Sequence, residues 1–188
     1  FYVFRIDFIV FHEDITEKSF EKPNVTEQVL TTIKTPWRVS FQSNRGAPTS
    51  SEFKDLISWS NHSDLGIKYF SGTATYTNTF KINSKHIKSN KLLLDLGEVK
   101  NIAEVFINNQ NIGTSWKKPF KLDITNKLKI GQNTIKIKVT NLWVNRLIGD
   151  TQPQINKKIT FTTLPFYESN APLLPSGLLG PVTISSVK

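Results

Sequence analysis

Thr134-Ile135-Lys136-Ile137-Lys138-Val139-Thr140 alternates strictly between polar and apolar side chains. Because successive side chains of a β-strand point to opposite faces, this period of two predicts a strand with one buried and one solvated face. Residues 74–82 and 92–96 repeat the pattern. Further strands are expected at 37–41, 67–71, 102–107, 112–114, 120–124, 158–163 and 182–187. Many short strands with little helical pattern predict an antiparallel sandwich or barrel.

The apolar members of these strands should form one core. The side chains expected to face it are Tyr76, Phe80, Leu94, Val105, Ile107, Ile135, Ile137 and Val139. Asn108-Asn109-Gln110-Asn111 predicts a hairpin turn, because asparagine tolerates left-handed backbone angles. Residues 129–133 predict a second turn, and single helical turns are expected at 51–56 and 123–128.

The 188 residues suffice for one domain of ordinary size. Residues 1–11 are strongly apolar, whereas 12–27 are charged and contain Pro23. We interpret 1–11 as the terminal strand of a preceding domain, 12–27 as a linker and 28–188 as the sandwich; 1–11 as an extra strand of the sandwich is the alternative. The chain has no methionine and starts at Phe1, so we expect it to be a piece of a longer polypeptide.

The composition excludes several function classes. The net charge is +9, but only four of the 24 basic residues are arginine and the lysines are scattered, so nucleic acid is not an expected partner. No cysteine is present, and His12, His62 and His86 lack the spacing of a zinc site, so no metal ligands are assigned. No apolar run reaches the length of a membrane span.

No motif of a hydrolase elbow, a P-loop or a dinucleotide site occurs. A pair of carboxylates could still hydrolyse a glycoside, and the acids that come into question are Asp95, Glu98, Glu104, Asp123, Asp150 and Glu168. Acids at strand ends and turns more often cap backbone N–H groups or face solvent. We therefore assign no catalytic residue and expect this chain alone to be inactive.

Aromatic side chains next to amides and charges are typical of sugar-binding surfaces, since pyranose C–H faces stack on indole rings. The carbohydrate-binding candidates are Trp143, Asn145, Arg146, Asp150, Trp116, Trp59 and Tyr69. Four of them lie in 141–150, which we expect to form a rim loop after the strand with the clearest alternation, at 134–140. The alternatives are tryptophans buried in the core and an internal ion pair between Arg146 and Asp150.

Four segments carry a resemblance to a known family: Ile67-Lys68-Tyr69-Phe70-Ser71-Gly72-Thr73-Ala74-Thr75-Tyr76, Leu94-Asp95-Leu96-Gly97-Glu98-Val99, 141–150 and 173–181. They resemble the C-terminal β-sandwich of bacterial glycoside hydrolase family 106 α-L-rhamnosidases. That module is similar to the sugar-binding jelly roll of family 2 glycosidases. The resemblance covers about residues 28–188.

The resemblance implies an all-β, antiparallel jelly-roll sandwich of the galactose-binding-domain type, carried by an exported enzyme. It also implies that the catalytic barrel lies outside this chain, holds calcium and performs inverting hydrolysis of terminal α-L-rhamnosides. Whether calcium binds to this chain stays open. The expected partners are carbohydrate and the catalytic barrel of the same polypeptide, and the alternatives are a structural docking domain without sugar contact and a free-standing lectin.

Overall fold

The computed structural model describes residues 26–34, 36–87 and 91–187. The predicted terminal strand at 1–11 and most of the predicted linker at 12–27 lie outside these residues. The strands are β1 (Glu27–Thr32), β2 (Trp37–Phe41), β3 (Ser50–Phe53), β4 (Thr73–Ile82), β5 (Lys91–Asp95), β6 (Glu98–Lys100), β7 (Ile102–Ile107), β8 (Gln110–Ser115), β9 (Lys121–Asp123), β10 (Gly131–Thr140), β11 (Gly177–Gly180) and β12 (Thr183–Val187).

The strands form two main antiparallel sheets. The larger sheet has the order β3-β2-β4-β10-β7-β8, and the smaller has the order β1-β12-β5-β9. The short pair β11-β6 adds a third, two-stranded sheet. Leu94 and Ile184 of the smaller sheet belong to the same buried cluster as Tyr76 and Ile137 of the larger sheet. The two main sheets therefore enclose one core, as the sequence predicts for a β-sandwich.

The strand predicted from the alternation of 134–140 is confirmed as part of β10. β10 lies in the middle of the larger sheet, paired with β4 on one side and β7 on the other. All eight side chains predicted to face the core are buried. The hairpin turn is also confirmed: Asn108 and Asn109, with φ of 49° and 66°, connect β7 to β8. Positive φ at two successive residues gives a turn whose twist matches the right-handed twist of the flanking strands.

In the described residues, three short α-helices connect the strands, α1 (Leu65–Lys68), α2 (Ser84–Ile87) and α3 (Val144–Gly149), and a 3₁₀ helix spans Trp59–Asn61. The predicted strand at 67–71 is wrong, because Asp64 caps α1: its Oδ1 accepts from Gly66 N at 2.7 Å and from Ile67 N at 3.2 Å. The predicted rim loop at 141–150 is also wrong in part, because α3 occupies its second half.

Four further expectations need correction. The predicted helical turn at 51–56 is wrong, because Ser50–Phe53 pairs with β2 as strand β3. The predicted turn of helix at 123–128 is an irregular turn after β9. The predicted strand at 158–163 does not form, because Asp150 binds the backbone N–H groups of Ile159 and Thr160 that a strand partner would need. The predicted strand at 120–124 is shorter, as β9.

Candidate functional site

The site that the sequence singled out lies at one end of the sandwich. β10 ends at Thr140, opposite the start of β4 at Thr73, and β2 ends beside it. α1, α3 and the segments 42–49 and 151–176 meet at this edge, and we call the assembly the α3 end. Its geometry depends on polar side chains that each bind a neighbouring segment of backbone.

Asn141 and Ser71 fix the start of α3. Asn141 Oδ1 accepts a hydrogen bond from Gly72 N at 2.9 Å, and Ser71 Oγ donates to the Leu142 carbonyl at 2.8 Å. Both bonds join the residues after β10 to the residues before β4. The helix therefore starts at a position set by the two central strands of the larger sheet.

Asn145 is a buried residue of α3 that holds the segment 174–176. Its Oδ1 accepts from Leu174 N at 2.8 Å, and its Nδ2 donates to the Leu174 carbonyl at 2.8 Å. Ser176 N in turn donates to Ser58 Oγ at 2.9 Å. The Asn145 amide thus satisfies a backbone donor and a backbone acceptor as a strand partner would.

Arg146 and Asp150 form an ion pair inside the same assembly. Arg146 Nη2 lies 3.0 Å from Asp150 Oδ1, and each side chain is only 4% exposed. Asp150 Oδ2 accepts from Ile159 N at 3.0 Å, from Thr160 N at 2.7 Å and from Thr160 Oγ1 at 2.6 Å. The pair therefore links α3 to the segment at 159–160, and the internal ion pair considered from the sequence is present.

The carboxyl group of Asp150 stays ionised in this environment. Burial alone would raise its pKa, but the hydrogen bonds from Thr160 and Ile159 and the charge of Arg146 outweigh that effect. The pKa of Asp150 is therefore lowered from its ordinary value of 3.8. Both charges of the pair are present at neutral pH.

Glycines allow the close packing around this pair. A Cβ added at Gly149 would lie 2.5 Å from Arg146 Nη2 and 2.5 Å from Tyr69 Cβ. A Cβ at Gly46 would lie 3.0 Å from Arg146 Nη1. Side chains at these two positions would displace the guanidinium, so the backbone of 42–49 and of α3 approaches Arg146 only because both residues are glycine.

Trp143 directly precedes α3 as its N-cap residue, and 43% of its surface is exposed. The guanidinium carbon of Arg45 lies over its ring, 4.5 Å from the centroid. Both residues line an open cavity of about 430 Å³ together with Leu147 and the segment 159–162. A separate cavity of about 200 Å³ borders Asn141, Asn145 and Ser176.

The other predicted candidates are not brought together with Trp143. Trp59 is fully buried, and its Nε1 donates to Tyr76 Oη at 2.5 Å, so its ring is part of the core. Trp116 is 67% exposed but follows β8, at the far edge of the larger sheet. Tyr69 is half-buried, with its Cβ against the backbone of Gly149.

Arg45 and Phe161 line the 430 Å³ cavity beside Trp143, but the sequence did not identify them as site residues. Phe161 is 91% exposed, and it lies in a segment that the sequence predicts to be a strand. Arg45 lies in a polar loop, where no periodic pattern marks it. The signal that could have indicated Arg45 is its type, since it is one of only four arginines among 24 basic residues.

Five of the six acids considered for catalysis lie next to a cation; Glu168 is the sixth. The nearest pairs are Asp95 with Lys121, Glu98 with Lys100, Glu104 with Lys138, Asp123 with Lys91 and Asp150 with Arg146. Within 26–34, 36–87 and 91–187, no three His, Cys, Asp or Glu side chains are grouped so that they could hold a metal ion. In the same ranges no helix is long and apolar enough to cross a membrane.

The chain is similar to several known proteins. It is 44% identical to a protein of Formosa agariphila named "Putative beta-glucuronidase", with 79% of this chain and 15% of that protein covered. It is 41% identical to the rhamnosidase of Novosphingobium sp. PP1Y, whose structure superposes with a TM-score of 0.84 and covers 93% of this chain and 16% of that one. The chain thus spans about one sixth of the length of these relatives.

A β-glucuronidase of Ruminococcus gnavus shares the fold at 17% identity, with a TM-score of 0.58 over 89% of this chain and 30% of that one. The family model for the glycosyl hydrolase 2 galactose-binding domain-like family matches residues 49–163, which include β4, β10 and α3. These findings confirm the resemblance carried by the four sequence segments. The chain belongs to the glycosyl hydrolase 2 galactose-binding domain-like family.

Proposed function

We propose that this chain is the non-catalytic carbohydrate-binding or pocket-shaping module of an exported, α-L-rhamnosidase-like glycoside hydrolase whose catalytic barrel is outside the chain. The observation that carries the proposal is the α3 end, where buried anchors hold an exposed tryptophan in place. Asn145 and the pair of Arg146 and Asp150 bind two loop segments to α3, at Leu174 and at 159–160, so Trp143 is presented on a rigid base.

The rigidity of this base favours ligand contact over a plain connection between strands. Binding costs less free energy when the groups that contact the ligand are already ordered. An indole ring offers an apolar face for sugar C–H groups and an N–H donor for a hydroxyl. Trp143 has both, at the border of the 430 Å³ cavity.

The electrostatics support a role without catalysis. Glycoside hydrolysis needs a carboxyl group with a raised pKa to protonate the leaving oxygen. In the part of the chain that the structure describes, every carboxyl pKa that departs clearly from its ordinary value is lowered: Glu27, Glu98, Asp123 and Asp150. Acids held in the ionised form by neighbouring lysines, arginines and hydroxyls are poor proton donors at neutral pH.

One observation favours a docking domain as the second candidate. Phe161, Leu164 and Phe166 are between 81% and 91% exposed, within six residues of one another. Exposed apolar groups of this density often mark a protein contact. In this alternative the segment would pack against the catalytic part of the polypeptide, and Trp143 would not contact sugar.

Ligand-observed NMR distinguishes the two candidates. An aryl α-L-rhamnoside is mixed with the 188-residue chain, and saturation transfer to the sugar protons is measured for the wild type, for Trp143→Ala and for Ile130→Ala. The control removes an exposed apolar side chain in the turn before β10, away from the α3 end. We expect transfer in the wild type, a loss of tenfold or more in affinity for Trp143→Ala, and no change for the control. Absence of transfer in the wild type would favour the docking domain.

A further inference from the structure

A groove opens along one side of the sandwich, away from the α3 end. β8 and β9 contact each other at one edge of the two main sheets. β1 and β3 form the opposite edges, and in the described residues neither strand is paired on its outer side. A groove of about 570 Å³ lies between the end of β1 and the residues that follow β3. At this groove the core of the sandwich approaches its surface.

The floor of the groove is apolar. Trp37 and Val182 are buried there, and Leu56 and Leu179 line the groove while partly exposed. Covering such side chains with another apolar group removes apolar surface from water, which is favourable. A polypeptide segment that binds here should therefore carry at least one apolar side chain.

Two lysines give the rim of the groove a positive charge. Lys34 follows β1 and Lys54 follows β3, and both are exposed. Neither lysine forms an ion pair with another described residue. Among the described residues that line the groove, Asp55 is the one acid, so positive charge is in excess. The groove therefore favours an occupant with acidic side chains.

The chain itself contains a segment with this chemistry. Residues 13–21 hold four of the 15 acids of the chain and one lysine, although the net charge of the whole chain is +9. Ile15 and Phe20 give the same segment two large apolar side chains. A segment of nine residues thus combines the negative charge that suits the rim with the apolar groups that suit the floor.

The position of this segment in the sequence lets it reach the groove. β1 starts at Glu27 and ends at Thr32, which lines the groove. Pro23 and Asn24 lie between the segment and β1 and are typical turn residues. A chain that reverses there can follow the free edge of β1, whose six residues span about 20 Å. Nine extended residues cover about 30 Å, which is enough to bring the acids at 13 and 14 to the groove.

We propose that residues 13–21 fold back along β1 and bind in this groove. Acidic side chains of the segment pair with Lys34 and Lys54, and Ile15 covers the apolar floor. Residues 1–11 are then held in a fixed direction relative to the sandwich. This role concerns the attachment of the sandwich and is independent of sugar binding at the α3 end. A second copy of the chain could offer the same groove an acidic segment, and the experiment distinguishes the two occupants.

Paramagnetic relaxation enhancement tests the proposal, because the chain has no cysteine and accepts a single label. A nitroxide is attached to Thr16→Cys in the 188-residue chain, and amide signals are recorded with the nitroxide oxidised and reduced. One double variant, Lys34→Glu with Lys54→Glu, reverses the charge of the rim. The control, Lys117→Glu with Lys129→Glu, makes the same change of charge at exposed lysines that do not line the groove.

We expect the oxidised label to reduce the signals of Leu56 and Val182 by at least half, because docking brings residue 16 to the groove. Reversing the charge of the rim should abolish this effect, and the control should retain it. Adding Glu13→Lys with Asp14→Lys to the rim variant should restore the effect, since the charges then attract again. Far-UV circular dichroism verifies that each variant is folded.

Four outcomes would overturn the inference. The effect could be absent with the native lysines, it could survive charge reversal in the folded rim variant, or it could fail to return in the charge-swapped variant. The fourth outcome is an equally strong effect between chains, seen when an isotope-labelled chain without nitroxide is mixed with a nitroxide-labelled one, because a second copy would then occupy the groove. Each of these outcomes leaves the proposed function at the α3 end untouched.

Discussion

Arg146 Nη2 lies 3.0 Å from Asp150 Oδ1, one helical turn away, and both side chains are almost completely shielded from water. Removing one member of such a buried pair leaves the other charge without compensation, which is costly. The pair also connects two elements, because Asp150 binds the backbone at 159–160. The cavity of Trp143 and Arg45 is lined by this same segment, so its shape depends on the pair.

Arg146→Lys should therefore lower stability although it keeps the charge. Lysine lacks the planar fork and cannot place a nitrogen both at Asp150 and against the backbone of Gly46. We expect a loss of about 2 kcal/mol in the free energy of unfolding, measured by urea titration. Arg38→Lys on the exposed face of β2 is the control and should change little. Equal stability of the two variants would mean that the geometry of the pair is unimportant.

The lowered pKa of Asp150 makes part of the stability depend on pH. A carboxyl group whose pKa is lower in the folded state stabilises the fold above its unfolded pKa, and the contribution is lost as pH falls through the folded pKa. The melting temperature of the wild type should thus fall more steeply below about pH 4 than that of Asp150→Asn. Asp55→Asn, at an exposed position, should keep the wild-type slope. Parallel curves for the wild type and Asp150→Asn would contradict this expectation.

Gly177 and Gly131 separate backbone strain from steric contact. Both have positive φ, 96° and 91°, so alanine is strained at either position by about 1 kcal/mol or more. A Cβ at Gly177 would lie 2.5 Å from Trp59 Nε1, whereas a Cβ at Gly131 would meet nothing within 4 Å. Gly177→Ala should therefore destabilise the chain by about 1 to 3 kcal/mol more than Gly131→Ala, measured by thermal unfolding. A similar loss for both would show that Trp59 moves freely.

Ile137 tests the core between the two main sheets. It is fully buried in β10, opposite Tyr76 of β4 and Val105 of β7. Ile137→Ala should cost about 2 to 5 kcal/mol, because it leaves a cavity as well as losing burial. Thr134→Ala changes an exposed side chain of the same strand and should cost well under 1 kcal/mol. A loss below 1 kcal/mol for Ile137→Ala would contradict the central position of this residue.

The sequence predicted the sheets well because their signal is local. In β4 and β10 every second side chain is buried, so the alternating sequence of each strand already shows which of its side chains face the core. The predicted contacts across the strands follow from it: Ile137 and Tyr76 share a face and are directly opposite. Periodicity alone predicts strands but not a family. The family was identified from the resemblance of 67–76 and 141–150.

The α3 end was predicted less well because long-range hydrogen bonds decide its structure. Residues 158–163 have the composition of a strand, but Asp150 takes the N–H groups of Ile159 and Thr160. Asn145 appears in the sequence as a surface amide, yet it is buried because Leu174 offers it a donor and an acceptor. Such partners are 9 to 29 residues apart in the chain, beyond the reach of a local pattern.

Incubation of the 188-residue chain with p-nitrophenyl α-L-rhamnoside, followed by saturation-transfer NMR and by release of p-nitrophenol in the same sample, tests whether the α3 end binds a rhamnoside without hydrolysing it. We expect transfer to the sugar protons without release of p-nitrophenol, because the proposed function places sugar binding at the α3 end and every clearly shifted carboxyl pKa in the described part of the chain is lowered. Release of p-nitrophenol that disappears when one of the chain's own acids, such as Glu98 or Asp123, is changed to its amide would contradict it.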